Sequence, residues 1–136
     1  GCLCKFYHQM QIDNYSLSNR VFLKGYSKNI YSHMKGAEAF ILSSLWEDPG
    51  FVLIEAAFNN SFVISSNCKN GPKEFLENGK AGILFESNKD TALFTALTNY
   101  ISQKPYLKDK KILAKKNCLK YSLFRHHKII KDIFLD

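Results

Sequence analysis

The sequence lacks any apolar run of the roughly 18 residues that cross a bilayer, so no transmembrane helix is predicted. Internal repeats, low-complexity segments and Pro- or Gly-rich linkers are also missing, and proline occurs only three times. A single domain over residues 1–136 is therefore expected. Residues 1–10 lack the charged start and apolar stretch of a secretory signal. Since they also lack an initiator Met and an opening strand, we expect a sequence truncated at its N-terminus.

Cysteine is scarce and is not spaced for metal binding or a disulfide framework. The four cysteines are Cys2, Cys4, Cys68 and Cys118. No pair has the C-x-x-C spacing of a zinc site, so free thiols in a reducing, cytoplasmic compartment are expected. His126 and His127 are adjacent and would point in different directions on a helix. No metal site is predicted.

Positive charge is in excess, with a formal net charge of +7. Lysines concentrate between residues 104 and 120. Such a cluster is most simply a solvated helix face, and the alternative is peripheral contact with an anionic membrane. Nucleic acid is not expected as a partner, because no aromatic-rich binding motif accompanies the lysines.

Short apolar runs alternate with helical patterns along the chain. The runs, which are continuous rather than alternating, predict buried strands at residues 21–23, 39–42, 62–65 and 82–85. Helices are predicted at residues 29–35, 51–58, 72–77 and 91–102, and from Pro105 to the end. This order predicts βαβ units in an α/β fold with a doubly wound, mainly parallel sheet.

One helix carries an unusual charge. Glu55 is the only charged residue of the strongly apolar segment 51–58, which predicts a buried helix. A buried carboxylate needs hydrogen-bond donors to offset its lost hydration. Either a Lys or Arg at the domain surface or the hydroxyls of a ligand, such as a ribose diol, would supply them. The residues themselves leave both interpretations open.

The start of the same helix is a candidate anion site. The backbone N–H groups of Gly50, Phe51 and Val52 have no intrahelical acceptor, and the helix dipole adds partial positive charge. Gly50 permits close approach of a ligand to the backbone. Because Glu47 precedes the helix and Glu55 follows its first turn, the two acids are predicted to reach opposite ends of one diphosphate ligand.

A second loop after the next predicted strand has a similar design. Gly71-Pro72 opens another helix and offers further backbone donors. Glu74 lies in its first turn, where an acid also favours the helix dipole without any ligand. Both roles remain open for Glu74.

Glu47, seven intervening residues and Glu55 form an E-x7-E motif, preceded by Ser43-Ser44. Segments 67–74 and 78–85 follow in order. Together these blocks, between about Val21 and Phe85, resemble the GT4-type retaining glycosyltransferases of GT-B fold. The resemblance identifies residues 1–136 as part of a Rossmann-like, nucleotide-sugar-binding domain, with C-terminal helices from about 105 to 136.

The resemblance implies transfer of a sugar, with retention, from a nucleotide diphosphate donor, UDP-linked by expectation, to a glycan or lipid-linked acceptor. It implies that Glu47 contacts the donor sugar as the catalytic residue and that Glu55 holds the ribose. The donor-binding positions it implies are Gly50, Phe51, Val52, Glu55, Gly71 and Glu74. No metal or other cofactor is implied. By analogy with the family, we expect synthesis of bacterial surface polysaccharide on the cytoplasmic face of the plasma membrane, with the acceptor bound by an N-terminal domain missing here.

The sequence departs from the family pattern in places. The usual glycine pair after the first Glu is reduced to Gly50 alone, and the family's basic pair for the diphosphate has no match. In the strand order 3-2-1-4-5-6, the runs at Val21 and Ala39 correspond to strands 3 and 4. These two strands are therefore expected not to pair as neighbours.

The same motifs are also compatible with a function of a different class. A non-catalytic nucleotide- or phosphate-binding module would use the same loops and would be indifferent to the sugar. A signalling receiver domain is disfavoured, because Ser43, Ser44 and Ser65 stand where that fold needs acidic residues.

Overall fold

The computed structural model describes residues 2–134, with side chains from 4 to 132. The chain divides into two compact units, the first ending at Ile30 and the second beginning at Tyr31. Within the described residues no helix has both the length and the apolar character needed to cross a membrane.

The first unit is built on one helix that the sequence patterns did not predict. Helix α1 (Cys2–Asn14) packs Ile12 inward, while Phe6 and Tyr15 stay exposed. A turn follows, in which the backbone N–H of Leu17 donates to the carbonyl of Ile12. Residues 21–27 have no regular structure, so the strand predicted at 21–23 is wrong. An apolar run supplies β-propensity, but a strand also needs a hydrogen-bonding neighbour.

Among its described residues the second unit contains three strands, and the elements follow in the order helix, strand, helix, strand, helix, strand and terminal helices. The strands are β1 (Ala39–Leu42), β2 (Phe62–Ser66) and β3 (Ile83–Phe85). The helices are α2 (Ile30–Gly36), α3 (Phe51–Phe58), α4 (Pro72–Phe75), α5 (Ala92–Gln103), α6 (Lys108–Asn117) and α7 (Leu123–Phe134). Short 3-10 turns at Glu77–Gly79, Lys104–Tyr106 and Cys118–Tyr121 join several of them.

The sheet is parallel, with β2 between β1 and β3. Ile41 pairs with Ile64 of β2, and Ile64 pairs in turn with Ile83. All five residues of β2 are buried, as expected for the central strand of a sheet covered on both faces. The continuous apolar runs predicted this arrangement.

Helices cover both faces of the sheet, which confirms the α/β prediction. On one face, Val63 packs in a core with Leu53 and Ala57 of α3 and Ala114 of α6. On the other face, a core formed with α5 contains Phe62, Ile64, Ala96, Tyr100 and Leu107. Neighbouring β2 residues point to opposite faces, so one strand serves both cores.

Most element boundaries agree with the predictions. β1 and α3 have the predicted bounds, α2 and α5 are shifted by one residue, and β2 and β3 differ by one residue at one end. Helix α4 is shorter than predicted, because Glu77 and Asn78 adopt positive φ angles. The C-terminal segment is broken by the turn Cys118–Tyr121 rather than continuous. Among the described residues β1 pairs with β2 alone. Because residues 21–23 form no strand, the expectation that the strands at Val21 and Ala39 would not pair as neighbours stays a prediction.

Several lysines of the C-terminal cluster hold the terminal helices against the domain. Lys104 pairs with Glu38 at 2.8 Å, and Lys120 pairs with Glu77 at 2.8 Å. Lys110 donates to the carbonyl of Gly79 at 2.7 Å. These lysines are structural contacts, a role that the charge pattern alone did not predict.

Candidate active site

The loops after the three strands meet at the carboxyl edge of the sheet. The backbone N–H of Glu47 donates to the carbonyl of Lys69 at 3.4 Å, which joins the loops after β1 and β2. The N–H of Asn67 donates to the carbonyl of Phe85 at 2.8 Å, and its side-chain oxygen accepts from the N–H of Ser87 at 3.0 Å. In parallel α/β sheets this edge is where ligands bind.

Gly71 fixes the distance between the first two loops. Its φ is +122°, and a Cβ there would lie 1.9 Å from the carbonyl oxygen of Pro49. Only glycine therefore allows the second loop to approach the first so closely. The predicted binding residue Gly71 is thus placed at the edge, where it sets the shape of the loops.

The start of α3 opens at the same edge. Gly50 adopts a left-handed conformation with φ 79° and makes no side-chain cap hydrogen bond. The N–H groups of Phe51 and Val52 have no intrahelical acceptor, because they lie in the first turn of the helix. Glu47 lies beside this turn: its carboxylate oxygen Oε2 is 3.8 Å from the position a Cβ on Gly50 would take. The structure therefore brings Glu47, Gly50, Phe51 and Val52 together.

Glu55 is half-buried rather than enclosed, so the prediction of a wholly buried helix is wrong. Leu53 and Ala56 of α3 face the core, whereas Phe51 and Phe58 are exposed. The helix is apolar on both sides because one side packs on the sheet and the other lines an open surface.

The carboxylate of Glu55 has a donor from another helix. The hydroxyl of Tyr31 on α2 donates to Oε1 of Glu55 at 3.2 Å. This hydrogen bond and the nearby negative charge raise the pKa of Tyr31. The donor is a neutral hydroxyl rather than the Lys or Arg considered from the sequence. A carboxylate has two acceptor oxygens, so Glu55 has the capacity to accept a further hydrogen bond at Oε2.

Glu55 lines a surface groove of about 850 Å³. The groove lies along α3 and the C-terminal segment and is mainly apolar, with Ile54, Phe58, Ile112 and Leu119 among its lining residues. Glu47 does not line this groove. Phe51 and Glu55 are separated by four residues of helix, or about 6 Å along its axis. The two acids therefore lie on either side of the first turns of α3.

Glu74 has a protein partner. Helix α4 has only four residues, and Oε1 of Glu74 accepts a hydrogen bond from the Tyr121 hydroxyl at 3.5 Å. Burial, followed by the charge and hydrogen bond of Glu74, raises the pKa of Tyr121. Glu74 thus links α4 to the C-terminal segment, while its position after Gly71 keeps it near the carboxyl edge.

Sequence reasoning missed Tyr31 and Asn67. Each acts through a hydrogen bond to a residue at least 18 positions away, which no local pattern shows. Within the described part of the chain no three His, Cys, Asp or Glu side chains gather as a metal site would require. Cys4, Cys68 and Cys118 are free thiols, and Cys2 lies outside the residues with described side chains.

Residues 5–117 match the family described as glycosyl transferases group 1. The chain belongs to this family. It is 34% identical over 119 residues to an uncharacterized glycosyltransferase of Methanocaldococcus jannaschii, covering 78% of this chain and 28% of that protein. It is 28% identical over 128 residues to the Escherichia coli UDP-Gal:α-D-GlcNAc-diphosphoundecaprenol α-1,3-galactosyltransferase, covering 89% of this chain and 31% of that enzyme.

Solved glycosyltransferase structures of GT-B fold share the architecture of this domain. The Anabaena protein HepE, solved in complex with UDP, superposes with a TM-score of 0.67 at 25% identity. The match covers 85% of this chain and 30% of HepE. The group 1 domain described here therefore spans about a third or less of the length of these relatives.

Proposed function

We propose that this group 1 domain binds the nucleotide-sugar donor of a retaining glycosyltransferase at the carboxyl edge of its sheet. The observation that carries the proposal is the first turn of α3. Its backbone donors lack a side-chain cap, Glu47 lies beside them, and Glu55 follows within about 6 Å along the axis. Such a helix start attracts a diphosphate.

Each part of the donor then has a residue of suitable chemistry. The backbone N–H groups of Gly50, Phe51 and Val52 donate hydrogen bonds to the diphosphate oxygens, and Glu47 accepts hydrogen bonds from the sugar hydroxyls. Oε2 of Glu55 accepts from a ribose hydroxyl, while Tyr31 holds Oε1. Gly71 and the loop before Glu74 shape the edge around the phosphates. Fixed donors at the leaving diphosphate would stabilise the charge that develops there during transfer.

The substrates are proposed from the relatives. The E. coli relative has a UDP-linked donor and a lipid-linked acceptor in its name, and HepE was solved with UDP. We propose a UDP-sugar as donor and a glycan or lipid-linked acceptor, bound by another part of the full-length polypeptide, in bacterial polysaccharide synthesis. We also propose that no metal takes part, since backbone donors serve the phosphates, and that the protein acts in the cytoplasm, in peripheral contact with an anionic membrane.

Calorimetry on the full-length polypeptide tests the donor assignment. A transferase domain should bind a matching UDP-sugar more tightly than UDP with a mismatched sugar, because Glu47 contacts the sugar. Affinity that is the same for UDP and for every UDP-sugar would instead support a nucleotide-binding module without catalysis. Proton NMR of the product tests retention, because the anomeric coupling of the new linkage should match that of the donor.

A further inference from the structure

Helix α4 is held in place by the C-terminal segment rather than by its own length. It has only four residues, which is too few for a helix to be stable on its own. The backbone that follows it is strained, since Glu77 adopts a φ of +48°, a conformation uncommon for residues other than glycine. Such a segment keeps one conformation only when its surroundings fix it.

Contacts with the end of α6 and the turn after it fix α4. The side-chain amide of Asn117, which is 3% exposed, donates to the carbonyl of Phe75 at 3.0 Å. Lys120 pairs with Glu77 at 2.8 Å. The rings of Phe75 and Tyr121 meet edge to face, with their centroids 5.9 Å apart. Because these contacts reach both the end of α4 and the turn after it, the C-terminal segment sets the position of α4.

Tyr121 also contacts Glu74, the residue of α4 that the family resemblance assigns to the donor. Its hydroxyl donates to Oε1 of Glu74 at 3.5 Å, from a half-buried ring packed against the core. Burial and the nearby charge of Glu74 raise the pKa of Tyr121, so the hydroxyl keeps its proton and is a donor at neutral pH. An exposed carboxylate without such a partner would sample several rotamers.

Glu74 lies close to the proposed diphosphate position. It follows Gly71 by three residues, or about 4.5 Å along a helix axis. Gly71 packs against the carbonyl of Pro49, which immediately precedes the start of α3. A carboxylate at this place is repelled by the phosphate charge, and its acceptor oxygens suit the hydroxyl donors of the attached sugar instead.

We propose that Tyr121 is a positioning residue, which holds Glu74 in the orientation that accepts a hydrogen bond from a hydroxyl of the donor sugar. The inference rests on the donor site proposed above and adds to it a residue of the C-terminal segment. Asn117 and Lys120 keep α4 within reach of Tyr121, and Tyr121 restricts the side chain of Glu74. Because Glu74 is already ordered before the sugar binds, less conformational entropy is lost on binding.

Calorimetry on the full-length polypeptide tests the inference with Tyr121→Phe, which removes the hydroxyl and keeps the ring against Phe75. The donor is whichever of UDP-galactose, UDP-glucose and UDP-N-acetylglucosamine binds the wild type most tightly. Its affinity should fall about two- to tenfold, the usual effect of one side chain that must be ordered on binding. Affinity for UDP alone should change less than about twofold, because UDP lacks the sugar that Glu74 contacts.

Tyr100→Phe is the matched control. The Tyr100 hydroxyl donates to the carbonyl of Glu38 at 3.4 Å, a similar hydrogen bond at the opposite edge of the sheet. Its loss should change the melting temperature by an amount similar to that in Tyr121→Phe, and it should leave the affinities for UDP and for the UDP-sugar unchanged. A loss of UDP-sugar affinity as large as that in Tyr121→Phe would contradict a specific role of Tyr121.

Tyr121→Phe in a Glu74→Ala background separates positioning from a general loosening of α4. If Tyr121 acts through Glu74, Glu74→Ala alone lowers UDP-sugar affinity, and adding Tyr121→Phe lowers it no further. Additive losses would overturn the inference, as would equal losses of UDP and UDP-sugar affinity in Tyr121→Phe. Wild-type UDP-sugar affinity in Tyr121→Phe would contradict only the role of Tyr121, whereas a wild type that binds no UDP would contradict the donor site and this inference with it.

Discussion

At the scale of single residues, Glu55 accepts a hydrogen bond from the neutral hydroxyl of Tyr31. The sequence identified Glu55 because a lone acid stood in an apolar segment. Its exposure and its partner Tyr31 were not predictable, because a contact over 24 residues of separation depends on how α2 packs beside α3. The apolar character of α3 was interpreted as burial, whereas the exposed side chains of Phe51 and Phe58 account for part of it.

Tyr31 is expected to position Glu55. Tyr31→Phe removes the hydroxyl and frees the carboxylate to rotate, so UDP binding should weaken about two- to fivefold, the usual effect of one freed rotamer. Turnover at saturating donor should stay the same, because Tyr31 does not contact the sugar in this account. Calorimetry and steady-state kinetics measure the two effects. Tyr106→Phe, at an exposed tyrosine of the same unit, is the control, and equal effects in both variants would contradict the role of Tyr31.

Glu47 is expected to act on the sugar rather than on the nucleotide. Glu47→Ala should lower kcat by on the order of 100-fold, as the loss of one well-placed catalytic group commonly does. The affinity for UDP should change by less than about threefold, because the diphosphate contacts are backbone amides. Asp48→Ala removes the neighbouring exposed acid and serves as the control. A variant at Glu47 with unchanged kcat would refute its catalytic role.

At the scale of elements, the sequence predicted the strands and helices that surround the site with little error. β1 and α3 were delimited by continuous apolar runs and by the Pro49-Gly50 turn before α3, and these are local signals. The packing of the loops after β1 and β2 against each other could not be predicted from local signals. Gly71 looked like a helix-start glycine, and its closeness to Pro49 appears only once β1 and β2 lie side by side.

The contact between Gly71 and Pro49 predicts that replacing two different glycines by alanine changes the stability of the fold by very different amounts. Gly71→Ala places a methyl group against the Pro49 carbonyl at a positive φ, and it should destabilise the fold by about 3 kcal/mol or more. Gly36→Ala, where a Cβ meets nothing within 4 Å, should stay within about 0.5 kcal/mol of the wild type. Urea unfolding measures both. Equal stability of the two variants would mean that the loops are not in contact.

The ion pairs of the C-terminal segment predict how stability varies with pH. The hydrogen bond from Lys104 lowers the pKa of Glu38, and the hydrogen bond from Lys120 lowers the pKa of Glu77. The folded protein favours the charged carboxylates. Their contribution is therefore complete above the ordinary carboxyl pKa of 4.5 and is lost as the pH falls through the lowered values.

Urea midpoints measured between neutral pH and about pH 3 test this linkage. Glu38→Gln with Glu77→Gln should lose stability at neutral pH and show a flatter decline in acid. The difference should be small, because both pairs are exposed to solvent. A decline equally steep in the variant and the wild type would assign acid sensitivity to other carboxylates.

At the scale of the whole molecule, the fold class followed from the alternation of apolar runs and helical patterns. The structure of the first unit could not be predicted from that pattern. Helix α1 is exposed over most of its length, so it shows no clear apolar stripe, and residues 21–23 carry strand propensity without a described strand partner. Strand pairing is a property of the assembled sheet, and a single run of residues such as Val21–Leu23 predicts only that a strand is possible there.

The central claim is that the carboxyl edge of the sheet binds a nucleotide through α3, with Glu55 on its ribose. Calorimetry of UDP binding to the full-length polypeptide tests it most directly, comparing Glu55→Gln with Glu38→Gln. Glu38 lies just before β1 and therefore at the opposite edge of the sheet. We expect Glu55→Gln to weaken UDP binding by at least about tenfold, as expected for the loss of hydrogen bonds to a charged group, and Glu38→Gln to leave UDP binding unchanged. Wild-type affinity in Glu55→Gln would contradict the account.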